Sequence, residues 1–564
     1  MRPVVHQCGS VKLVRWCRPL QRYEERATLA YMGIRQFSNR RVASSQQERV
    51  NRDGLVKCFP EAFGYVQDIL NAKVYDVCKT TELSYAPKLS EKTGNRVLLK
   101  REDQQPVHSF KIRGAYNRMV QLSDEEKARG IVACSAGNHA QGVAFAASKL
   151  GISAKIFMPK STPSIKVEGV QRRAGDFAEI ILEGFSFDEA HTAMLKCMEE
   201  EGRVVVHGFN DPQVIAGQGT IGQEIISQTT SETVDAVFGC VGGGGLISGM
   251  GIFVKAVKPS IKVIGVEAED AAAMTESFRA GEIVTLPSVG QFADGASCNK
   301  VGEETFRLAQ MVVDEMMTVT TDEICAAIKD TFLDTRVVLE PAGALAIAGL
   351  TKYSAIMERK GQTLVAVASG ANMDFDRLRF VSERADTSET LIAVQIPERP
   401  GAFKEMYRKI HPRNVTEFSY RISDDPASIY MSFQAHSSDD RDKVLRSLNE
   451  DGFRPRYLGD NELAKTHGRH LVGGRAPARM TEDEVLFRFS FPDKPGMLLE
   501  FLESLPTACN ISLFHYRSHG ADQARVLVAF QVPASDRMQM REYLNSLERQ
   551  GFTWVEETEN DIYG

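Results

Sequence analysis

The chain of 564 residues is 43% hydrophobic and 25% charged, near the globular average, which excludes a wholly disordered or collagenous protein and leaves room for three or four domains. Its net charge of −6 carries no footprint of a polyanion-binding surface, so no nucleic-acid partner is expected. The ten cysteines never lie closer than nine positions, so neither a metal site nor a disulfide framework is expected, and a reducing compartment is the default.

Residues 1–37 hold seven bases against two acids, and removing that excess of five takes the net charge from −6 to −11. An Arg-rich, acid-poor leader without a long apolar core reads as an organellar transit peptide rather than a secretory signal. The run Arg35-Gln36-Phe37-Ser38 resembles a mitochondrial processing pattern. The expected address is therefore the mitochondrial matrix, with a plastid or an unaddressed basic tail as the competing readings. Residues 1–50 are assigned to this leader.

Residues 51–385 alternate short, nearly all-apolar strands with helical patterns. Val97–Lys100, Gly130–Cys134, Lys155–Met158, Ile180–Leu182, Val204–Val206, Ala236–Phe238, Val263–Val266 and Leu364–Val367 read as strands. Asn138–Leu150 and Phe185–Glu199 read as helices between them. Continuous apolar strands separated by helices imply mainly parallel sheets covered on both faces, in an α/β unit of two lobes with a cleft. The uncharged stretch Ala236–Val254 nearly reaches membrane-spanning length, but seven of its nineteen residues are glycine, so it reads as strand, loop and helix; no membrane partner is expected.

Beyond a polar linker at Asp386–Glu389 the chain repeats itself. Thr390–Arg421 and Glu484–Arg517 share a strand, a Pro-Gly pair (Pro400-Gly401, Pro495-Gly496), a helix and an Asn-led strand ending in Tyr-Arg, at an offset of 95 to 96 residues. Drift of one or two residues is what loop insertion produces in a duplicated domain. Each copy, 386–472 and 473–564, fits an α+β ferredoxin-like order of strand, helix, strand, strand, helix, strand. The Gly- and base-rich Gly468–Ala478 is the spacer.

Four short elements in the α/β part carry chemistry. Lys111 lies in His108-Ser109-Phe110-Lys111-Ile112-Arg113-Gly114-Ala115, at the opening of a helix. The field of a helix N-terminus disfavours a cation and depresses an amine pKa, which suits a lysine that must form a Schiff base; taken alone, Lys111 reads rather as a solvated surface charge, and it gains weight only from the elements that follow. Ser135-Ala136-Gly137-Asn138-His139 lies between a strand and a helix, where free N–H groups can hold a carboxylate. There Asn138 reads also as a plain N-cap and His139 as a structural histidine. Gly242-Gly243-Gly244-Gly245-Leu246, between strand and helix, can close backbone N–H groups round a phosphate. Ser369 follows a strand, where open α/β sheets meet ligands. Glu340-Pro341-Ala342-Gly343-Ala344 reads as a cap and turn or as part of the site. Gly217-Gln218-Gly219-Thr220-Ile221-Gly222 matches G-x-G-x-x-G but sits inside a helix beginning near Pro212, so it is not read as a dinucleotide site.

Together, Ser109-Phe110-Lys111-x-Arg113-Gly114-Ala115, Ser135–Gly142, the four glycines and Glu340–Ala344, followed by the repeat, resemble the biosynthetic threonine dehydratases, enzymes of the tryptophan-synthase-β type (fold type II) that use pyridoxal 5′-phosphate. The resemblance implies that Lys111 holds the cofactor and takes the Cα proton of L-threonine. It implies that Asn138 bonds the ring oxygen, Gly242–Gly245 and Leu246 the phosphate, and Ser369 the pyridine nitrogen. Backbone groups of Ser135, Ala136, Gly137, Asn138 and His139 would grip the substrate carboxylate, giving 2-oxobutanoate and ammonia, with L-serine as a side substrate. Relatives that racemise serine carry a serine where this chain has Ala136, which implies elimination without racemisation. The repeats resemble ACT-like regulatory domains, implying isoleucine as inhibitor, valine as a possible opposing effector and a homotetramer, with Tyr420, Arg421, Tyr516 and Arg517 as effector candidates. The alternatives are a serine racemase or catabolic serine-threonine dehydratase, and a non-catalytic amino-acid sensor.

Overall fold

The computed structural model describes residues 60–375, 377–385, 389–397, 399, 401–421, 426–459, 461, 483–492, 497–505, 510–517, 523–549 and 552–559. The expected leader, Pro400, the spacer and Pro495-Gly496 lie outside them. Two compact units divide the chain: one ends at Thr318 and regains Tyr353–Asn372, the other comprises Val319–Lys352 and everything from Met373 onward.

The first unit contains β1 (Leu83–Tyr85), β2 (Arg96–Arg101), β3 (Ile131–Cys134), β4 (Ala154–Met158), β5 (Ala178–Leu182), β6 (Val204–Val205), β7 (Ala236–Cys240), β8 (Lys262–Ala268), β10 (Thr363–Ala368) and all but the last residue of β9 (Glu315–Val319). They form a six-stranded sheet, β1-β2-β10-β7-β8-β9, and a four-stranded one, β5-β4-β3-β6. β2, β10, β7 and β8 run parallel, as do all four strands of the smaller sheet, while β1 is antiparallel. The expected parallel strands are all present. β1 and β9 carry no strand signal in the sequence: one has three residues, and the other, Glu-Met-Met-Thr-Val, lacks a β-branched apolar run.

Helix limits follow capping chemistry. Asn138–Leu150 ends at Gly151, whose φ of 67° suits a residue without a Cβ. The helix expected from Phe185 starts instead at Phe187, because Ser186 accepts the Glu189 amide and closes a capping box. The G-x-G-x-x-G segment lies within the helix Pro212–Gln228 and serves close packing. A Cβ on Gly217 would sit 2.7 Å from Gly114 Cα, one on Gly219 3.0 Å from Gly249 O, and one on Gly222 2.7 Å from Met250 O. Those glycines bring the helix against Lys111–Val120 on one side and Gly245–Val257 on the other.

In the second unit the two repeats supply β11 (Glu389–Ile396), β12 (Val415–Arg421), β13 (Ala427–Gln434) and β14 (Arg454–Tyr457), then β15 (Glu484–Pro492), β16 (Asn510–Arg517), β17 (Gln523–Gln531) and β18 (Thr553–Glu556). The copies fuse into one eight-stranded sheet, β14-β11-β13-β12-β16-β17-β15-β18. The seam pairs Phe418 with Tyr516, Ser419 with His515 and Tyr420 with Phe514. With a repeat offset of 96, this is a self-complementary pseudo-twofold contact about Ser419 and His515. Each copy bulges at the equivalent place, between Val415 and Glu417 and between Ile511 and Leu513. In each the hydroxyl of the extra residue, Thr416 or Ser512, donates to the glutamate that opens the copy, Glu389 or Glu484. A single core spans both copies, with Phe418 and Phe514 fully buried and their rings 5.4 Å apart. Phe418→Ala is expected to destabilise this unit by ~3–5 kcal/mol, the cost of a large buried cavity; an unchanged denaturation midpoint would show that the seam contributes no stability.

Candidate active site

Lys111 opens the helix Lys111–Val120, and the residues before it are stitched to the end of β10. Phe110 N donates to Ser369 O at 3.1 Å, Ala371 N donates to His108 O at 2.9 Å, and Ser109 and Gly370 form a β-bridge. His108 completes this turn in the left-handed region, at φ 55°. Lys111 and Ser369, far apart in the chain, are thereby brought together. Ser369 is buried and its Oγ accepts a hydrogen bond from Cys240 Sγ at 3.3 Å, at the end of β7.

Two residues beyond Lys111, Arg113 is fully buried. Its guanidinium binds Glu102 and Glu224, each at 2.7 Å, and Thr220 Oγ1 at 3.0 Å, while Lys100 Nζ meets Glu224 at 2.6 Å. Two bases and two acids thus tie β2, the Lys111 helix and the Pro212 helix together. The helix carrying Asn138 touches the same place, since a Cβ on Gly142 would lie 3.3 Å from the Lys111 carbonyl.

Gly137, not Asn138, caps the helix Asn138–Leu150, so the N-cap reading of Asn138 does not hold. The Asn138 Oδ1 accepts from Asn372 Nδ2 at 2.7 Å, and Asn372 also donates to Val107 O at 2.9 Å. His139 Nε2 donates to Val206 O at 2.8 Å, which leaves Nδ1 as an acceptor, buried and without a donor.

Beyond β7, the glycine loop admits no side chain. A Cβ on Gly242 would lie 2.9 Å from Ala296 O, one on Gly243 would come within 2.3 Å of the Phe209 ring, and Gly244 has φ 95°. Thr305 Oγ1 fixes the loop by donating to Gly243 O at 2.6 Å. The helix Gly245–Val257 begins directly there, and its first-turn N–H groups lack intrahelical partners. An uncharged cradle at a helix N-terminus, an amine, a side-chain amide and a buried hydroxyl fit a phosphorylated pyridine aldehyde.

The segment Val206–Asn210 joins these parts, and no sequence motif marked it. Lys111 Nζ donates to Gly208 O at 3.0 Å, and Phe209 lies against the glycine loop. Asn372 was likewise not foreseen, because only the fold places it beside Asn138. Pro341 opens the helix Pro341–Met357 and Ala344 N donates to Glu340 O, in keeping with the cap-and-turn reading. Among the effector candidates, Tyr420 and Tyr516 are 3% exposed, inside the shared core; Arg421 and Arg517 lie in β12 and β16, with their side chains outside the described residues. Among the described residues no group of His, Cys, Asp and Glu is arranged to hold a metal, and no helix is long and apolar enough to cross a membrane.

Residues 74–370 match the family model of pyridoxal-phosphate dependent enzymes, and residues 382–467 and 475–564 match the C-terminal regulatory domain of threonine dehydratase. The chain belongs to the pyridoxal-phosphate-dependent enzyme family, on its biosynthetic threonine dehydratase branch. It is 49% identical to the biosynthetic L-threonine dehydratase IlvA of Burkholderia multivorans, covering 88% of this chain and 98% of that one. It is 48% identical to the mitochondrial threonine dehydratase of Saccharomyces cerevisiae, covering 88% of each. The processed form of threonine deaminase isoform 2 from Solanum lycopersicum superposes with a TM-score of 0.56 at 48% identity, covering 58% of this chain and 88% of that one.

In this dehydratase-family site the two histidines stay neutral. Burial, then the Lys111 charge, pushes His139 down to about 3, and the same causes push His207 down to about 4. A folded-state value below the ordinary 6.5 means that the unfolded chain binds more protons between the two, so stability is complete above 6.5 and falls as pH drops toward 3. Replacing His139 by Gln, which keeps a donor for Val206 O, is expected to flatten that acid limb in denaturation curves; an unaltered limb refutes the assignment. Gly243→Ala is expected to leave the secondary structure intact while abolishing the cofactor's visible absorbance. A yellow, fully loaded variant would show that the loop is not the phosphate site.

Proposed function

We propose that the chain catalyses the deaminating dehydration of L-threonine to 2-oxobutanoate and ammonia, with L-serine to pyruvate as a side reaction, under feedback inhibition by isoleucine. The observation that carries this reading is the convergence of Lys111, Ser369, Asn138 and the glycine cradle in one unit, joined to a duplicated regulatory domain. Pyridoxal 5′-phosphate, when bound, supplies the electron sink that makes the Cα–H bond acidic. Lys111 Nζ would hold the cofactor and, once the substrate's amino group has displaced it, would be the free amine that accepts the Cα proton. The Ser135–His139 backbone at a helix N-terminus orients the substrate carboxylate. Ser369 would offer the pyridine nitrogen a neutral hydroxyl, and Asn138, steadied by Asn372, would bond the ring oxygen. Ala136 has no group able to return a proton to the opposite face of Cα, which supports elimination over racemisation.

The catalytic part is proposed to occupy residues 51–385 and the regulatory copies 386–472 and 473–564, preceded by a leader of residues 1–50. An organellar address fits that leader's excess of five bases, and the mitochondrial name of the yeast relative favours the matrix. Valine as an opposing effector and a homotetrameric assembly complete the reading. Isoleucine inhibits by binding the low-activity state preferentially. Tyr420 and Tyr516, one from each copy at the seam, are the proposed coupling residues.

Purified enzyme given L-threonine is expected to form 2-oxobutanoate, to be slowed by isoleucine, and to lose activity and visible absorbance in Lys111→Ala. Because both tyrosines are buried, Tyr420→Phe and Tyr516→Phe, which remove only the hydroxyl, are expected to raise the isoleucine concentration needed for half inhibition. Substantial D-serine from L-serine, or a colourless protein without 2-oxo acid production, would sink the reading.

A further inference from the structure

We propose that His207 is a positioning residue: through two backbone amides it folds the Val206–Asn210 strap that holds Lys111 and the glycine cradle in one geometry. The proposal rests on the reading of Lys111 as the cofactor lysine.

His207 Nδ1 accepts from Phe209 N at 3.2 Å and from Asn210 N at 2.8 Å. Only an unprotonated nitrogen can accept both, so the ring must carry its proton on Nε2. Burial and the nearby Lys111 and His191 charges disfavour the imidazolium that would break this arrangement. The turn closed in this way makes three contacts. Gly208 O accepts from Lys111 Nζ at 3.0 Å. Phe209 meets the His207 ring edge-on, with centroids 4.6 Å apart, and packs so closely beneath the glycine loop that a Cβ on Gly245 would come within 3.1 Å of Phe209 Cα. Asn210 Oδ1 accepts from Glu304 N at 3.0 Å, anchoring the strap to the helix Glu303–Val312.

One acceptor atom therefore sets where the amine's carbonyl partner and the floor of the phosphate cradle lie. Without it, two backbone N–H groups lose their partner and the strap is released from both. Asparagine can reproduce the contact, since its side-chain oxygen reaches the amides two and three residues on, as at helix caps and turns; alanine cannot.

The test compares wild-type, His207→Ala and His207→Asn holoenzymes in three measurements: thermal midpoint, loss of visible absorbance during dialysis, and kcat and KM for L-threonine. His207→Ala is expected to lose cofactor about tenfold faster and to turn over about tenfold more slowly at near-wild-type KM. His207→Asn is expected to return both to within about threefold of wild type. If His207→Ala does not fold, His207→Gln takes its place, because its oxygen overshoots the two amides. The proposal is overturned if His207→Ala changes only the thermal midpoint, or if His207→Asn has a wild-type midpoint yet is as impaired as His207→Ala. A wild-type chain that binds no pyridoxal phosphate overturns the Lys111 reading itself, a separate result.

Discussion

The fully buried guanidinium of Arg113 is the constraint on which the catalytic unit depends. A charge in that position is tolerable only when fully matched, and Glu102 and Glu224 match it while Lys100 balances the second acid. Breaking such a cluster by removing one member typically costs about 3–5 kcal/mol, because the remaining charge has no solvent to return to. The geometry is therefore strongly fixed, and it is fixed two residues from Lys111. The start of the helix that carries Lys111 is thus held by a buried charge cluster two residues away.

Close backbone approach is the second half of the same design. The Pro212–Gln228 helix presents glycines to two neighbours at once, so Glu224 reaches Arg113 while the opposite side rests on the helix that begins at the glycine loop. A side chain at Gly217 or Gly219 would push these helices apart and displace the ion cluster and the cradle together. Packing and chemistry are thus coupled through backbone atoms.

Much of this was legible in the sequence, for identifiable reasons. Apolar β-branched runs marked the parallel strands because both faces of those strands are covered, and the Asn138–Leu150 helix was legible from its periodicity and its terminal glycine. Lys111, the glycine loop and Ser369 lie at strand ends or helix starts, where local sequence and local geometry agree. Asn372 and the pairing of Arg113 with Thr220 and Glu224 were not legible, since they arise from contacts across 100 or more residues, such as Arg113 with Glu224 at a separation of 111, and His207, though it meets amides only two and three residues on, lies in a segment that no motif marks. A short Met-containing edge strand like β9 carries no β-branched apolar run to announce it. The repeat was legible as a duplication, but its fusion into one sheet was not, because pairing of β12 with β16 depends on two segments that neither copy can join alone.

That fusion has a consequence for how the regulatory half can be cut. β12 is an interior strand only because β16 lies beside it, and Phe418 and Tyr420, packed on Phe403 of their own copy, pair with Tyr516 and Phe514 across the seam. A chain ending after the first copy would present a long, aromatic-flanked strand edge to solvent, the kind of edge that recruits other chains. The second copy thus covers a strand edge of the first, and the first covers the matching edge of the second.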